Sequence, residues 1–310
     1  MKATVTTALV LLKAAFVFAR CDDGPCDEPA VLDLETTECQ QYHILSARGS
    51  TAPLPGHAGE LIRQVCEGLG GSKACGYENL DYAAANGDAW CESAHTGALK
   101  GQEQLANYTE RCPEAKIIAI GFSQGASVTL DYIGGGGGVD VFSCHQEENE
   151  GLNRTSSPGS HIVAAAVFGP TVHAAGQNYT LKGGEKYNGT ATRSERHVEG
   201  LAPYASILQE YCNTGDSICA KDSPDMKLEN HLNYFQKYTE EAAKFIVETS
   251  KKGKIGQASV GQTSTNTNTN TNTNTNTNTN TNTSPSNTGP ALTAGSSLAF
   301  GAIFIGAVFL

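Results

Sequence analysis

The sequence predicts an α/β protein of three layers, with helices covering both faces of a parallel sheet. Three observations predict it. Short apolar runs alternate along the chain with stretches of helical spacing. Two of those runs, Lys116–Ile120 and His161–Phe168, are apolar at odd and even positions alike, as strands buried on both faces must be. The first of them turns directly into helix-forming sequence through Gly121-Phe122-Ser123-Gln124-Gly125.

In chain order, Tyr42–Ala47 reads as the first strand and Gly59–Leu69 as an amphipathic helix. Glu78–Ala84 reads as a short second strand, and Ala94–Arg111 has helical spacing. Lys116–Ile120, the helix Gln124–Ile133 and the strand His161–Phe168 follow. Ser206–Tyr211 is expected to be the last strand. Asn230–Lys251 is a long helix with Leu232, Phe235, Tyr238, Ala242, Phe245 and Ile246 on one stripe. Gly134–Gly138 follows a helix, whereas a phosphate-binding loop precedes one, so it is expected to be a flexible loop.

The chain ends set the domain organisation. Residues 1–19 run from Met1-Lys2 through an apolar stretch to Val17-Phe18-Ala19, the pattern of a secretory signal peptide. Residues 20–36 are polar and acidic and read as an N-terminal leader. The folded domain is expected over residues 37–251, a size suited to one α/β unit. Residues 252–287 contain the Thr-Asn alternation of Thr263–Thr283, which offers no apolar side chain to bury and reads as a stalk. Residues 288–310 end in the apolar tail Leu298–Leu310, shorter than the roughly 20 residues that span a bilayer. A small-residue site, a spacer and such a tail match a GPI-attachment signal, with Asn287 as the attachment residue.

Ten cysteines, an even number in a chain expected to be secreted, imply disulfides. No Cys-x-x-Cys pair is present, which argues against a zinc site, and neither metal nor cofactor is expected. Sequons at Asn107, Asn153, Asn178, Asn188 and Asn282 are expected at the surface. The formal charge is −11, and −13 once Lys2 and Lys13 leave with the signal peptide. That argues against nucleic acid or an anionic membrane as a partner. The membrane would be reached only through the lipid anchor, and a monomer is expected.

Gly-x-Ser-x-Gly is a common pentapeptide, and its position carries the meaning. At a strand–helix junction the serine sits on a sharp turn with its hydroxyl at the carboxyl end of the sheet. The helix start favours negative charge there, and the Gln124 amide can donate to an oxyanion. Ser123 is therefore the candidate nucleophile. It needs a base, and the base needs an acid. In this topology the order is Ser, then Asp or Glu, then His. Of the five histidines after Ser123, His161 lies at the amino end of a strand. His145, His173 and His197 fall in polar loops and could be surface residues. His231 lies after the last strand, at the start of the last helix. Asp216, between Cys212 and Cys219, is either the acid or the turn residue after Gly215; spacing alone leaves both open.

Together these residues resemble the cutinase family of fungal serine esterases, which includes cutinases and acetylxylan esterases. Ala47-Arg48-Gly49-Ser50-Thr51 is similar to the family's oxyanion loop. Gly121-Phe122-Ser123-Gln124-Gly125 is similar to its nucleophile elbow, with Phe122 where tyrosine is usual. Cys212–Cys219 with His231 downstream is similar to its acid and base segment. The resemblance covers residues 39–246 and implies a five-stranded parallel sheet and an open site. It further implies Ser123 as nucleophile, His231 as base, Asp216 as acid, and Ser50 and Gln124 as oxyanion donors. It implies the disulfides Cys39–Cys112 and Cys212–Cys219. The other six cysteines stay unassigned, Cys66 with Cys75 and Cys91 with Cys144 being guesses. After Phe168 this chain reads Gly169-Pro170 where the family often has Gly-Asp-Pro.

The implied activity is a secreted ester hydrolase acting on cutin-type or acetylated-polysaccharide esters. Residues 217–230 are mostly polar, which favours carbohydrate over an aliphatic polyester. A different class also fits the stalk and anchor: a cell-wall structural or adhesive protein that keeps the fold without turnover.

Overall fold

The structure is a computed structural model, and it describes residues 29–256. The expected signal peptide, Cys21 and Cys26, residues 257–287 of the stalk with Asn282 and Asn287, and the apolar tail lie outside the described residues. So does all of the second compact unit, Thr263–Leu310.

Six strands form the main sheet: β1 (Tyr42–Ala47), β2 (Cys75–Asn79), β3 (Lys116–Phe122), β6 (Ile162–Phe168), β7 (Thr180–Leu181) and β8 (Leu208–Tyr211). A separate antiparallel hairpin, β4 (Val139–Val141) and β5 (Cys144–Gln146), stands outside it. The order across the main sheet is β2-β1-β3-β6-β8-β7, and its pairings are parallel. The expectation of five strands is corrected to six. The added strand, β7, has two residues, too short to carry an alternating pattern.

Alternation along the strands divides the core. Leu45, Ala47, Ile117, Ala119, Ala165 and Val167 face one cluster, under α3 (Trp90–Arg111), α4 (Gln124–Gly134) and α5 (Glu195–Leu201). Tyr42, Ile44, Ile118, Ile120, Ala166 and Phe168 face the other, under α2 (Gly59–Gly68) and α7 (Tyr234–Lys252). That is the three-layer arrangement expected. Several boundaries move. The second strand starts at Cys75 rather than Glu78. The long last helix splits at Asn233 into α6 (Leu228–Leu232) and α7.

The expected leader packs onto the domain from α1 (Pro29–Leu32) onward. Val31 and Leu34 are buried, and Glu35 bridges to Tyr77 beside β2. Four disulfides are present among the described residues: Cys39–Cys112, Cys66–Cys75, Cys91–Cys144 and Cys212–Cys219. The sequon residues Asn107, Asn153, Asn178 and Asn188 are exposed.

The glycine run is not a flexible loop. Residues 134–137 are buried, packed round the Asp131 carboxylate. Asp131 is fully buried, paired with Arg193 at 2.7 Å and held by Gln146 Nε2 at 2.7 Å. Arg193 also donates to the Gly135 carbonyl at 2.8 Å. A Cβ on Gly137 would overlap the Glu147 carbonyl, and its φ of 76° is left-handed. Close approach of backbone to backbone requires glycine here.

Candidate active site

The sheet brings the sequence-predicted residues together at its carboxyl edge. β3 is central, paired with β1 and β6, and Ser123 follows its last residue. Ser123 takes φ 56° and ψ −118°, a conformation that costs a non-glycine residue strain and turns its hydroxyl outward from the strand–helix junction. Gly125 makes the junction possible. A Cβ there would run into the backbone carbonyls of Ala47 and Arg48 at the end of β1.

His231 lies on the short helix α6. Its Nε2 is 2.9 Å from Ser123 Oγ, and its Nδ1 is 2.9 Å from Asp216 Oδ2. Asp216 is fully buried and His231 nearly so. The Asp216 loop is closed by the Cys212–Cys219 disulfide and by the Asp216–Lys227 bridge. Ile218 N–H donates to Asp216 Oδ1 at 2.7 Å, and Tyr234 O–H donates to Oδ2 at 2.5 Å. Burial alone would push the Asp216 carboxyl up. The hydrogen bond and charge of His231, with Tyr234 and Ile218 behind it, hold it below the usual carboxylate range. The two readings of Asp216 converge: it is a turn residue, and it faces His231.

The oxyanion candidates also meet. Ser50 Oγ donates to Gln124 Oε1 at 3.3 Å. Gln124 is fully buried, and its Nε2 donates to the carbonyls of Ala85 at 3.0 Å and Trp90 at 3.1 Å. One amide side chain thus ties the Ser50 loop to the segment that opens α3. The Gln124 N–H belongs to the first turn of α4, where backbone donors have no partner within the helix. Arg48 braces the same loop: it donates to the Tyr82 carbonyl at 2.9 Å, and the Tyr82 hydroxyl donates back to the Arg48 carbonyl.

Sequence reasoning missed three features. Tyr234 lies in the expected last helix but off the stripe read there, and its hydroxyl serves Asp216 and accepts Asn213 N–H at 3.0 Å. Its place three residues after His231, at a helix start, was the available signal. Phe122 stacks on His231 at 5.1 Å between ring centres, and the His57 ring lies 5.0 Å from Phe122, tilted at 58° to it. Burial, then the nearby His231 charge, pushes the His57 imidazole below its ordinary value. Third, His173 and His197 are buried rather than at the surface. His173 pairs with Glu210 at 2.5 Å, and His197 accepts or donates at Ser194 Oγ, 2.9 Å away. His145 is exposed, and His161 binds the Ala115 carbonyl at the amino end of β6.

The rim near His231 also departs from expectation. Met226, Leu228 and Leu232 are each about half exposed, at 46%, 53% and 47%. Leu228 and Leu232 stand one helical turn apart and share a face of α6. Residues 217–230 are polar by count, but Met226 and Leu228 give them apolar surface, and Leu232, expected on the stripe of the last helix, adds to it.

No group of His, Cys, Asp and Glu suited to a metal ion occurs among the described residues. None of the described helices is long and apolar enough to cross a membrane.

The fold and these residues define an α/β hydrolase-type protein. The chain belongs to the cutinase family of carboxylic ester hydrolases, whose sequence model matches residues 38–250. It is 26% identical to acetylxylan esterase 2 of Talaromyces purpureogenus, over 72% of this chain and 90% of that one. It is 26% identical to cutinase 11 of Verticillium dahliae, over 69% and 70%. Among solved structures, the catalytic core domain of acetyl xylan esterase from Trichoderma reesei superposes with a TM-score of 0.58 at 23% identity. That match covers 68% of this chain and all of the other, and it bears on the fold.

Proposed function

We propose that this chain hydrolyses esters by a Ser-His-Asp mechanism. Ser123 Oγ attacks the ester carbonyl as His231 Nε2 takes its proton. The tetrahedral oxyanion is met by the Gln124 N–H and the Ser50 backbone and hydroxyl. His231 then gives the proton to the departing alcohol, leaving an acyl-Ser123. Water, deprotonated by His231, attacks the acyl carbon; the acid departs and Ser123 is restored. Asp216 keeps His231 in the tautomer with hydrogen on Nδ1 and steadies the imidazolium.

The observation that carries this reading is the unbroken line Ser123 Oγ, His231, Asp216, each step 2.9 Å. It also weighs against a purely adhesive protein, which has no use for a strained serine aligned with a buried His–Asp pair. Labelling by a fluorophosphonate, lost in Ser123→Ala together with tributyrin cleavage, is the expected result. Full activity in Ser123→Ala would remove the mechanism.

Acetylated polysaccharide is the substrate class we favour, supported by the acetylxylan esterases among the relatives and by the exposed polar residues Lys221, Asp222 and Asp225, which lie between Asp216 and His231 in the chain. Cutin-type esters are the second reading, favoured by the exposed Met226, Leu228 and Leu232. Burying one such side chain against an acyl chain is worth about 1.5–3 kcal/mol. Rates on p-nitrophenyl acetate and laurate separate the two. Preference for laurate, lost in Leu228→Ser with Leu232→Ser, selects the second.

The organisation we infer around this domain is a signal peptide at 1–19, a Thr-Asn stalk over 252–287 and a GPI propeptide at 288–310. The enzyme would then be secreted and held at the cell surface through Asn287. Expression of the full chain in cells and release of the processed protein by phosphatidylinositol-specific phospholipase C, abolished when residues 288–310 are deleted, tests it.

A further inference from the structure

Phe142 stands at the tip of the β4–β5 hairpin, the first of two residues between the paired Val141 and Cys144. Its φ is 54°. Glycine is the usual residue where a two-residue hairpin turn needs positive φ, because a Cβ there crowds the backbone. A bulky aromatic ring in that conformation is an outlier, and strain kept in a fold is a pointer to use. The ring is 55% exposed. A single exposed apolar side chain needs no explanation by itself, but this one is both strained and braced.

The bracing comes from three sides. The Cys91–Cys144 disulfide fastens β5 to the first turn of α3. Ser143 Oγ donates to Asp88 Oδ1 at 2.8 Å. The ring meets buried Trp90 edge-on, 5.9 Å between centres at 80°. Trp90 in turn accepts a hydrogen bond on its carbonyl from Gln124, the neighbour of Ser123. Two contacts, Gln124–Trp90 and Trp90–Phe142, therefore lead from the nucleophile's neighbour to this ring.

The surroundings select a ligand chemistry. Ser143, next to Phe142 in the turn, holds Asp88, and the rung after Val141–Cys144 is the exposed Asp140–His145 pair, 2.7 Å apart. A pyranose has an apolar C–H face for an aromatic ring and a rim of hydroxyls that donate to carboxylates. An aliphatic polyester chain has no donor to offer Asp88 or Asp140.

We propose that Phe142 is a stacking platform for a sugar ring of a neutral polysaccharide, holding the polymer whose ester reaches Ser123. Its purpose rests on the ester-hydrolase reading above, but its binding test does not. Trp90 is the one tryptophan in the chain and touches Phe142, so its fluorescence reports occupancy. The full chain is titrated with xylohexaose and with cellohexaose, as wild type, Phe142→Tyr and Phe142→Gly. Wild type and Phe142→Tyr should show a saturable change with at least one hexaose, and Phe142→Gly should bind it about tenfold more weakly. Glycine suits the turn, so the melting temperature of Phe142→Gly should equal or exceed that of wild type. With esters, kcat/KM on acetylated xylan should fall about tenfold in Phe142→Gly, chiefly through KM, while p-nitrophenyl acetate is cleaved alike by all three. The proposal is overturned if wild type binds neither hexaose or if Phe142→Gly binds as tightly as wild type. Loss of adsorption to an aliphatic polyester film by Phe142→Gly, with sugar affinity kept, overturns it equally. Wild type that binds sugar but cleaves no ester would leave the platform standing and sink the mechanism instead.

Discussion

Tyr234 donates its phenolic hydrogen to Asp216 Oδ2 at 2.5 Å, the same oxygen that receives His231 Nδ1–H at 2.9 Å. The phenol is buried, and burial together with the Asp216 charge pushes it well above its ordinary value, so it stays a donor. Without it, Asp216 presents more negative charge to His231. In Tyr234→Phe, kcat should fall by roughly one to two orders of magnitude, the scale of a lost hydrogen bond to a charged group. KM should change little, and the acid limb of the kcat/KM profile should move to higher pH. A variant with lowered kcat but an unmoved profile would give Tyr234 a packing role only.

The Asp131–Arg193 pair is buried on both sides, at 0% and 2% side-chain exposure. Removing one charge strands the other, at a cost of about 3–5 kcal/mol. Asp131→Asn should therefore lower the urea midpoint sharply. A shift no larger than that of a surface substitution would mean that water reaches Arg193.

His43 is fully buried in β1, stacked on Tyr108 at 3.6 Å between ring centres. Burial, only partly offset by Glu78, holds it below its ordinary value of 6.5. The unfolded chain therefore takes up a proton before the native one does. Stability on this account is intact above about pH 6.5 and declines as pH falls below it, toward the lower native value. His57 and His197, also lowered first by burial, add in the same direction. Glu210 raises His173 despite its burial, which works the other way. His43→Phe keeps a ring against Tyr108 without the titration. Its loss of melting temperature between pH 7 and pH 5 should be smaller than that of wild type, and equal losses would exclude His43 as a source.

Gly137 combines positive φ with backbone contact on the side where a Cβ would point. Gly137→Ala should cost more than the roughly 1–2 kcal/mol of a left-handed residue alone, because the Glu147 carbonyl must also move. Equilibrium unfolding measures it, and a neutral result would return the run to the status of a loose loop.

Much of this was legible in the residues. Ser123 stood out through the apolar strand before it and the helix after it. His231 stood out because it alone follows the last strand. These are signals of order and period, which a sequence carries directly. What stayed hidden depends on contacts distant in the chain. Residues Thr180–Leu181 become a strand only because Leu208–Tyr211 lies alongside. Tyr234 went unnoticed because the apolar spacing of a helix does not say where a phenol hydroxyl points. His173 and His197 read as surface residues because Glu210 and Ser194, which satisfy them, are recognised only in space. Met226 and Leu228 were outvoted by polar neighbours in a count, and Leu232, expected on the apolar stripe of the last helix, is half exposed because that helix breaks at Asn233.

The packed glycine run fixes the length of its segment. In a loose linker, one glycine more or less in a run of five would pass unnoticed. Here the tract is a ruler. Gly136 pairs with Asn149 and Gly138 donates to Gln146, both across the Asp131 carboxylate. A sixth glycine or a missing one would slide that ladder by a residue and carry Phe142 and Cys144 with it. The tract's composition suggests tolerance of length, and its packing forbids it.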